Sequence, residues 1–340
     1  MLRNSAGYSV TRMKGVLRFA PLMLLPFATL ADGQQVPAPI PVAATDPGAM
    51  VSITDLGQRL TVPVELGAAG PFPFVIDTGA ERTVVSHELA GLLGLAGGPK
   101  VNLATMTGHS EVGTVIVPEL TITGLDQRHR IEAPALAARN LGAAGLLGID
   151  TLAGHRVSID LETGKMAVRP ALKRGRHHYD EIVVEAKSLF GQLIVTDAWL
   201  GDAKIRVLVD TGSQVSIGNS LLRKRAALTQ KGMRAVEVTS VTGETIQADY
   251  AVVPRLAIGN VQFGALPIAF ADVEPFARFG LTDKPALLLG MDALRSFRRV
   301  DIDFANREVR FVLPKGFRDE RSTTGTLIRG GTGASSVRSY

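Results

Sequence analysis

The stretch FPFVIDTGAERTVVS at residues 72–86 has a close copy, IRVLVDTGSQVSIGN, at residues 205–219. Each copy runs from a β-type apolar segment into Asp-Thr-Gly and then into a second apolar segment. The two acids are Asp77 and Asp210. One such step carries little information, but two at the same point of similar segments indicate an internal duplication.

Three further landmarks keep the same order in both halves of the chain. They pair TMTGHS (105–110) with SVTGET (240–245), GLLGIDTL (145–152) with LLLGMDAL (287–294), and RVSIDLETGKMAV (156–168) with RVDIDFANREVRF (299–311). The repeat predicts two domains built on one plan. The second copy is slightly longer, and we expect most of the added length within residues 271–286.

The chain of 340 residues divides into six expected segments. These are a signal peptide at 1–31, a Pro/Ala-rich linker at 32–49, a first domain at 50–170, a linker at 171–180, a second domain at 181–314 and a disordered tail at 315–340. Alternating apolar residues, 36 Gly and 18 Pro predict many short strands joined by turns, and hence an all-β fold.

The N-terminus has the order of a secretory signal. Arg12, Lys14 and Arg18 precede the apolar run FAPLMLLPFATLA at 19–31, which polar residues follow. The run is short for a bilayer span, so we expect an exported protein, periplasmic or secreted, without a stable membrane span after signal removal. Met13 would give a more compact signal than Met1, which leaves both start codons open.

Composition excludes several classes of function. The net charge is +5, but the basic residues are scattered and form no nucleic-acid motif, so we expect no nucleic-acid partner. The absence of cysteine excludes thiol catalysis and cysteine-bound zinc. The six histidines show no metal-ligand spacing, and we expect no metal and no organic cofactor.

A pair of Asp-Thr-Gly loops that face each other has a chemical logic. Gly allows a sharp turn beneath the acid, and the Thr hydroxyl reaches backbone across a symmetric partner. Two carboxyl groups in close contact cannot both ionise, so the pair holds one proton. The ionised member then takes a proton from water, while the neutral member donates to a carbonyl oxygen.

These doubled motifs resemble the retropepsin-like aspartic proteases, in particular bacterial proteins in which two such domains are fused. The resemblance covers residues 51–169 and 181–313. It implies two tandem barrels, each with one short helix, in a bilobal all-β molecule with a central cleft. It implies that Asp77 and Asp210 are catalytic, that Thr78, Gly79, Ala80, Thr211, Gly212 and Ser213 support their loops, and that Leu147, Gly148, Leu289 and Gly290 belong to ψ-shaped loops.

The chain departs from the family pattern at several positions. Retroviral members have Arg after the ψ-loop Gly, where Ile149 and Met291 stand here, so the Asp-Arg brace of those enzymes is missing. Asp150 and Asp292 follow, and we expect them to be the N-caps of short helices. Ser213 replaces the Ala of the first copy, and we expect its hydroxyl to donate to the neighbouring carboxylate and lower its pKa.

The landmarks TMTGHS (105–110) and SVTGET (240–245) are both expected to form hairpin flaps over a bound peptide. Their candidate substrate-binding residues are Thr107, Gly108, Thr242 and Gly243. Neither flap carries the Tyr of pepsin-type enzymes.

The resulting hypothesis is an aspartic endopeptidase that hydrolyses extended polypeptide segments as a monomer, with the two acids paired within one chain. A short linker favours this pairing because it gives a high effective concentration. Two alternatives stay open. One is a catalytically inactive peptide-binding or regulatory protein on the same fold, and the other pairs each domain with a domain of another chain.

Overall fold

The structure is a computed structural model that describes residues 51–52, 60–171, 181–189, 191–229, 233–259 and 261–314. The expected signal peptide, the Pro/Ala-rich linker, residues 172–180 of the interdomain linker and the tail lie outside the described residues. The boundaries proposed for these segments stay predictions.

Eleven strands of the described residues come from the first copy. They are β1 (Val51–Ser52), β2 (Thr61–Leu66), β3 (Ala69–Ile76), β4 (Val84–Ser86), β5 (Val101–Thr105), β6 (Gly108–Val112), β7 (Thr114–Ile122), β8 (Arg128–Leu136), β9 (Gly145–Leu147), β10 (His155–Asp160) and β11 (Lys165–Pro170).

The second copy supplies the remaining described strands. They are β12 (Glu181–Leu189), β13 (Gln192–Leu200), β14 (Ala203–Val209), β15 (Ile217–Gly218), β16 (Arg234–Thr239), β17 (Thr245–Ile258), β18 (Val261–Phe270), β19 (Ala286–Leu289), β20 (Arg299–Asp303) and β21 (Glu308–Val312).

The first copy closes a six-stranded barrel in the order β2-β3-β9-β4-β8-β7. Its strands are rich in Val, Ile and Leu, and the inward-facing side chains pack into a core that buries Phe74 completely. The β9 strand runs parallel to β3, which aligns Gly145 with Phe74. A side chain at Gly145 would lie 2.2 Å from the Phe74 ring, so only Gly fits at this position.

The second copy closes an equivalent ring. Its strands follow the order β13-β14-β19-β15-β18-β17, and a pairing between β13 and β17 completes the circle. Each strand corresponds to one in the first barrel, with β19 parallel to β14 just as β9 is parallel to β3. The predicted fold of two tandem barrels is therefore confirmed.

An antiparallel sheet joins the two barrels, in the order β1-β11-β10-β20-β21-β12. Its centre is the pairing of β10 with β20, which sets Arg156 opposite Asp303 and Asp160 opposite Arg299. The RVxID steps each begin a closing hairpin, β10–β11 in the first copy and β20–β21 in the second. The sheet also carries contacts between the copies, because each hairpin supplies half of it.

Six short helices lie in the described residues. They are α1 (His87–Leu92), α2 (Ala138–Leu141), α3 (Ile149–Leu152), α4 (Ser220–Arg225), α5 (Glu274–Arg278) and α6 (Met291–Leu294). The expectation of one helix in each barrel was wrong, because each copy has three among the described residues. Ser86 and Asn219 cap α1 and α4 through their side chains. None of these helices approaches the roughly 20 apolar residues that a membrane span requires.

Asp150 and Asp292 are not the N-caps that the sequence predicted. Gly148 and Gly290 occupy the N-cap positions of α3 and α6, and both aspartates lie within the first turn. The Asp150 carboxylate instead accepts hydrogen bonds from the backbone N–H and hydroxyl of Thr83, at 2.9 and 2.6 Å. Each aspartate thus anchors the segment that follows an Asp-Thr-Gly step.

Candidate active site

Asp77 and Asp210 stand at equivalent strand ends in the two barrels. Asp77 follows β3 and Asp210 follows β14. The backbone N–H of Asp77 donates to Leu147 O, and that of Asp210 donates to Leu289 O, both at 3.0 Å. These hydrogen bonds to the ψ-loop leucines therefore fix the position of each aspartate at the end of its strand.

Each carboxylate is held by the backbone of its own loop. Asp77 Oδ1 accepts from Gly79 N at 2.8 Å and from Ala80 N at 3.0 Å. Asp210 Oδ1 accepts from Gly212 N at 2.9 Å. Such N–H donors stabilise an ionised carboxylate and orient its free oxygen.

The two loops meet, so that each glycine lies against the acid of the other copy. A Cβ added at Gly79 would lie 2.8 Å from Asp210 Oδ1, and one added at Gly212 would lie 2.2 Å from Asp77 Cγ. Glycine is required at both positions because any side chain would occupy the space of the opposite carboxyl group. The structure thereby brings together the two acids that the sequence singled out.

The two threonines exchange hydrogen bonds beneath the acids. Thr78 Oγ1 donates to Val209 O at 2.7 Å, and Thr211 Oγ1 donates to Ile76 O at 2.8 Å. Each hydroxyl also accepts from the backbone N–H of the other threonine, at 3.2 and 3.1 Å. The acids therefore rest on a symmetric, buried connection between the barrels.

The pKa of the Asp210 carboxyl group is raised by its surroundings. Burial raises its pKa well above the ordinary value, and the charge of Asp77 and a hydrogen bond between the two carboxyl groups raise it further. The N–H groups of Gly212 and Ser213 oppose this shift without overcoming it. Asp210 is 6% exposed, whereas Asp77 is only half-buried and keeps more contact with solvent.

The hydrogen bond that was expected from the Ser213 hydroxyl to the neighbouring carboxylate does not form. The Ser213 hydroxyl donates to Val215 O at 2.7 Å, two residues along its own loop. It therefore does not supply the additional hydrogen bond that was expected to lower the pKa of the carboxyl group.

The ψ-loop glycines lie tightly against the segments after the Asp-Thr-Gly steps. A Cβ at Gly148 would lie 2.5 Å from the carbonyl carbon of Arg82, and one at Gly290 would lie 2.6 Å from that of Val215. Gly148 N donates to the Thr83 hydroxyl at 3.1 Å, and Gly290 N donates in the same way to Ser216. This packing accounts for glycine at both positions.

Both predicted flap segments form hairpins. Strands β5 and β6 enclose Met106 and Thr107, while β16 and β17 enclose residues 240–244. Gly108 and Gly243 adopt left-handed φ angles of 132° and 90° in these turns.

The tips of the hairpins contact one another across the two copies. The Thr107 hydroxyl donates to the Glu244 carboxylate, and Ser110 Oγ donates to the same carboxylate at 3.4 Å. His109 Nε2 lies 3.1 Å from Glu274 of α5. Met106 packs against the apolar cluster of the second barrel, and Val241 packs against that of the first.

A cleft of about 360 Å³ lies between the acids and the hairpins, and we call it the central cleft. The two acids line it together with residues 102–106 and 237–241 of the hairpins. The predicted residues Thr107, Gly108, Thr242 and Gly243 are not among its lining residues, and their role in substrate binding stays a prediction.

Sequence reasoning missed other residues that line the central cleft. Gln192 at the start of β13, Gln214 in the second loop, and Pro275, Arg278 and Phe279 in and after α5 belong to this set. The longer second copy was the available signal for the last three, because α5 lies within the added segment. Among the described residues, no group of three or more His, Asp or Glu side chains is arranged to hold a metal ion.

Two protein families match the chain, one in each copy. Residues 62–154 match the family described as "gag-polyprotein putative aspartyl protease", and residues 196–293 match the family described as "Aspartyl protease". Each match contains one of the Asp-Thr-Gly steps. The chain belongs to the retropepsin-like aspartic protease family.

A solved structure of the family is also similar to the chain. It is the crystal structure of a retropepsin-like aspartic protease from Rickettsia conorii, which is 17% identical and has a TM-score of 0.31. The similarity covers 39% of this chain and 90% of the Rickettsia protein. No curated protein matches the chain.

The positions that retroviral members of the family fill with the ψ-loop Arg have apolar side chains in this chain. Ile149 and Met291 are both buried here, and the adjacent Asp150 and Asp292 accept hydrogen bonds from the hydroxyls of Thr83 and Ser216. In this retropepsin-like protein, a carboxylate-to-hydroxyl contact therefore ties the ψ-loop to the segment after each Asp-Thr-Gly step.

Proposed function

We propose that the chain is an aspartic endopeptidase that hydrolyses peptide bonds in extended polypeptide segments. The observation that supports this proposal is the contact between Asp77 and Asp210, in which burial and the neighbouring charge raise the pKa of Asp210. One neutral and one ionised carboxyl group form the acid and base that amide hydrolysis needs.

In the proposed first step, water between the two acids attacks the carbonyl carbon of the scissile bond. The Asp77 carboxylate accepts a proton from the water as the new C–O bond forms. The Asp210 carboxyl group donates its proton to the carbonyl oxygen, which gives a neutral geminal diol. The neutral acid thus offsets the negative charge that would otherwise develop on this oxygen.

In the second step, the C–N bond breaks and the diol collapses to a carboxylic acid. The proton held by Asp77 passes to the leaving nitrogen, and one diol hydroxyl returns its proton to Asp210. The pair regains its starting protonation, and the sum of the two steps is the addition of one water molecule.

The position of the hairpins suggests how a polypeptide would bind. Among the strands that the structure describes, β16 is the last of its sheet and has no neighbour at one edge, and residues 237–239 of this strand line the central cleft. A peptide in extended form binds such an edge through main-chain hydrogen bonds. We propose a polypeptide substrate that lies between this edge and the two acids.

The decisive experiment compares two single variants, Asp77→Asn and Asp210→Asn, in cleavage of a denatured protein. Each variant should lose turnover by at least about a thousandfold, because each removes one half of the acid-base pair. Asp202→Asn, in an exposed turn, is the matched control and should cleave like the wild type. Undiminished cleavage by either active-site variant would overturn the proposal.

A mixing experiment tests whether the pair forms within one chain. If two chains paired their domains, a mixture of Asp77→Asn and Asp210→Asn would contain some intact sites and regain activity. We expect no recovery, together with a monomeric mass in sedimentation. Wild-type protein that binds peptides without cleaving them would instead favour the inactive alternative.

We also propose that the protein is exported, to the periplasm or to the exterior. The support is the basic and then apolar order of its first 31 residues, which lie outside the described part of the structure. Cell fractionation followed by N-terminal sequencing of the mature protein tests this. A cytoplasmic protein that begins at Met1 or Met13 would refute it.

A further inference from the structure

Two glutamines in the central cleft each have a buried amide atom without a partner. Gln192 is 3% exposed, and its Nε2 donates to Gly79 O, but its Oε1 accepts no hydrogen bond. Gln214 is half-buried, and its Nε2 has no acceptor. Both residues line the central cleft beside the acids.

Unpaired amide atoms of this kind are uncommon inside proteins. Most buried polar groups are hydrogen-bonded, since a donor or acceptor that loses water without gaining a partner destabilises the fold. An unpaired atom that lies in a binding cleft therefore points to a partner that the ligand supplies. One glutamine lacks a donor and the other lacks an acceptor, so the missing partners are of opposite kinds.

The two glutamines lie against different Asp-Thr-Gly loops. Gln192 reaches from the second copy to Gly79 of the first loop, whereas Gln214 belongs to the second loop. The residue that corresponds to Gln214 in the first loop is Glu81, whose carboxylate forms an ion pair with Arg278. In the first loop, Glu81 thus has a partner within the protein. In the second loop, the amide N–H groups of Gln214 have no acceptor.

We propose that Gln192 and Gln214 bind the main chain of the substrate, one on each side of the acid pair. Gln192 Oε1 accepts from a peptide N–H, and Gln214 Nε2 donates to a peptide C=O. An extended peptide offers both groups in every residue, so these contacts hold the chain without selecting its side chains. The inference rests on the proposed function, because it assigns these roles in the same cleft.

The test measures peptide binding instead of turnover. In the Asp77→Asn background, Gln192→Met and Gln214→Met are each compared with the parent by fluorescence anisotropy on a labelled peptide. Each change should raise the dissociation constant of the peptide by about threefold to tenfold, which is the effect of losing one net hydrogen bond. Gln262→Met, on the exposed face of β18, is the matched control and should bind like the parent.

Main-chain substitution in the peptide separates direct contact from a structural effect. A series in which an ester replaces one amide at a time removes single N–H groups, and a thioamide series weakens single C=O acceptors. At one position in the peptide, the ester should weaken binding to the parent but not to Gln192→Met. At one position, the thioamide should weaken binding to the parent but not to Gln214→Met.

Several outcomes would overturn the inference. These are equal binding by parent and Met variants, ester and thioamide effects that persist in both variants, or a parent that binds no peptide. Thermal denaturation identifies a variant that fails to fold, and if Gln192→Met does so, the thioamide series with the less buried Gln214 decides. Wild-type turnover is measured separately, so absent cleavage with the expected binding pattern would reject hydrolysis and keep the inference.

Discussion

Thr78 and Thr211 each donate a hydroxyl hydrogen to a carbonyl oxygen of the opposite copy. The acceptors are Val209 O at 2.7 Å and Ile76 O at 2.8 Å, each one residue before an active-site aspartate. The same hydroxyls accept the backbone N–H of the opposite threonine. The positions of the two acids thus depend directly on how the barrels pack together. A structural change in one loop therefore displaces the acid of the other copy.

Replacement of Thr211 with Val tests this connection. Valine has nearly the same shape, but it leaves Ile76 O and Thr78 N without their partner, and each buried orphan costs about 1–3 kcal/mol. We expect the free energy of unfolding to fall by about 2 kcal/mol or more, and kcat/KM to fall at least about tenfold. Urea denaturation and peptide cleavage are the measurements, with Thr211→Ser as the control that keeps the hydroxyl. Equal losses in the Ser and Val variants would contradict this explanation.

Gly212→Ala should remove activity through a steric effect on the opposite acid. The added methyl group would lie 2.2 Å from Asp77 Cγ, so the loop or the carboxyl group must move. A displacement of this size is expected to reduce kcat by about a hundredfold. Gly113→Ala is the control, because no atom lies within 4 Å of the added methyl group. Similar kinetics in the two variants would show that the acids tolerate the displacement.

Glu244→Ala should loosen the hairpin of the first copy. The Glu244 carboxylate accepts from Thr107 and Ser110 where the two hairpin tips meet, and the change removes both contacts. These groups are exposed, so global stability should change by less than about 1 kcal/mol. Amide hydrogen exchange in residues 101–112 should accelerate, since local opening becomes easier. Glu119→Ala, which removes a surface pair with Arg128, should leave this exchange unchanged.

The site was predictable from sequence where a local motif determines the geometry. Asp77 and Asp210 each end an apolar strand, and glycine two residues later is required for the close approach of the copies. These constraints lie within a few residues of one another, so two intact copies were enough to predict the pair. The alternation of apolar residues likewise predicted the strands of both barrels.

The parts that sequence did not predict depend on contacts between distant residues. The pairing of β10 with β20 aligns Val157 with Ile302, and neither hairpin shows which strand will lie beside it. The orientation of the Ser213 hydroxyl was missed because Val215 O competes for it within the same loop. Helix α5 was missed as part of the cleft because its counterpart in the first copy, α2, lies in a shorter connection and contributes no residue to the cleft lining.

Activity should decline as pH rises through the pKa of Asp210. The proposed mechanism needs this carboxyl group protonated, and burial with the Asp77 charge raises its pKa well above the ordinary value. The high-pH limb of kcat/KM should therefore lie well above pH 4, the region where an ordinary Asp titrates. Ser213→Ala should leave this limb in place, because the hydroxyl donates to Val215 O. A limb that moves in this variant would show that the hydroxyl acts on the acid pair.

Asp210→Asn should stabilise the folded protein most above the raised pKa of Asp210. An unfolded Asp titrates near 3.9, whereas the folded carboxyl group keeps its proton to higher pH, so between these values the folded state binds more protons. Wild-type stability therefore falls as pH rises through this window, by about 1.4 kcal/mol for each unit of pKa difference.

The asparagine variant does not carry this proton. Its free energy of unfolding, from urea denaturation at a series of pH values, should match the wild type below about pH 4 and exceed it above the raised pKa. Asp202→Asn should follow the wild-type curve throughout, and parallel curves for Asp210→Asn and the wild type would mean that Asp210 does not retain its proton on folding.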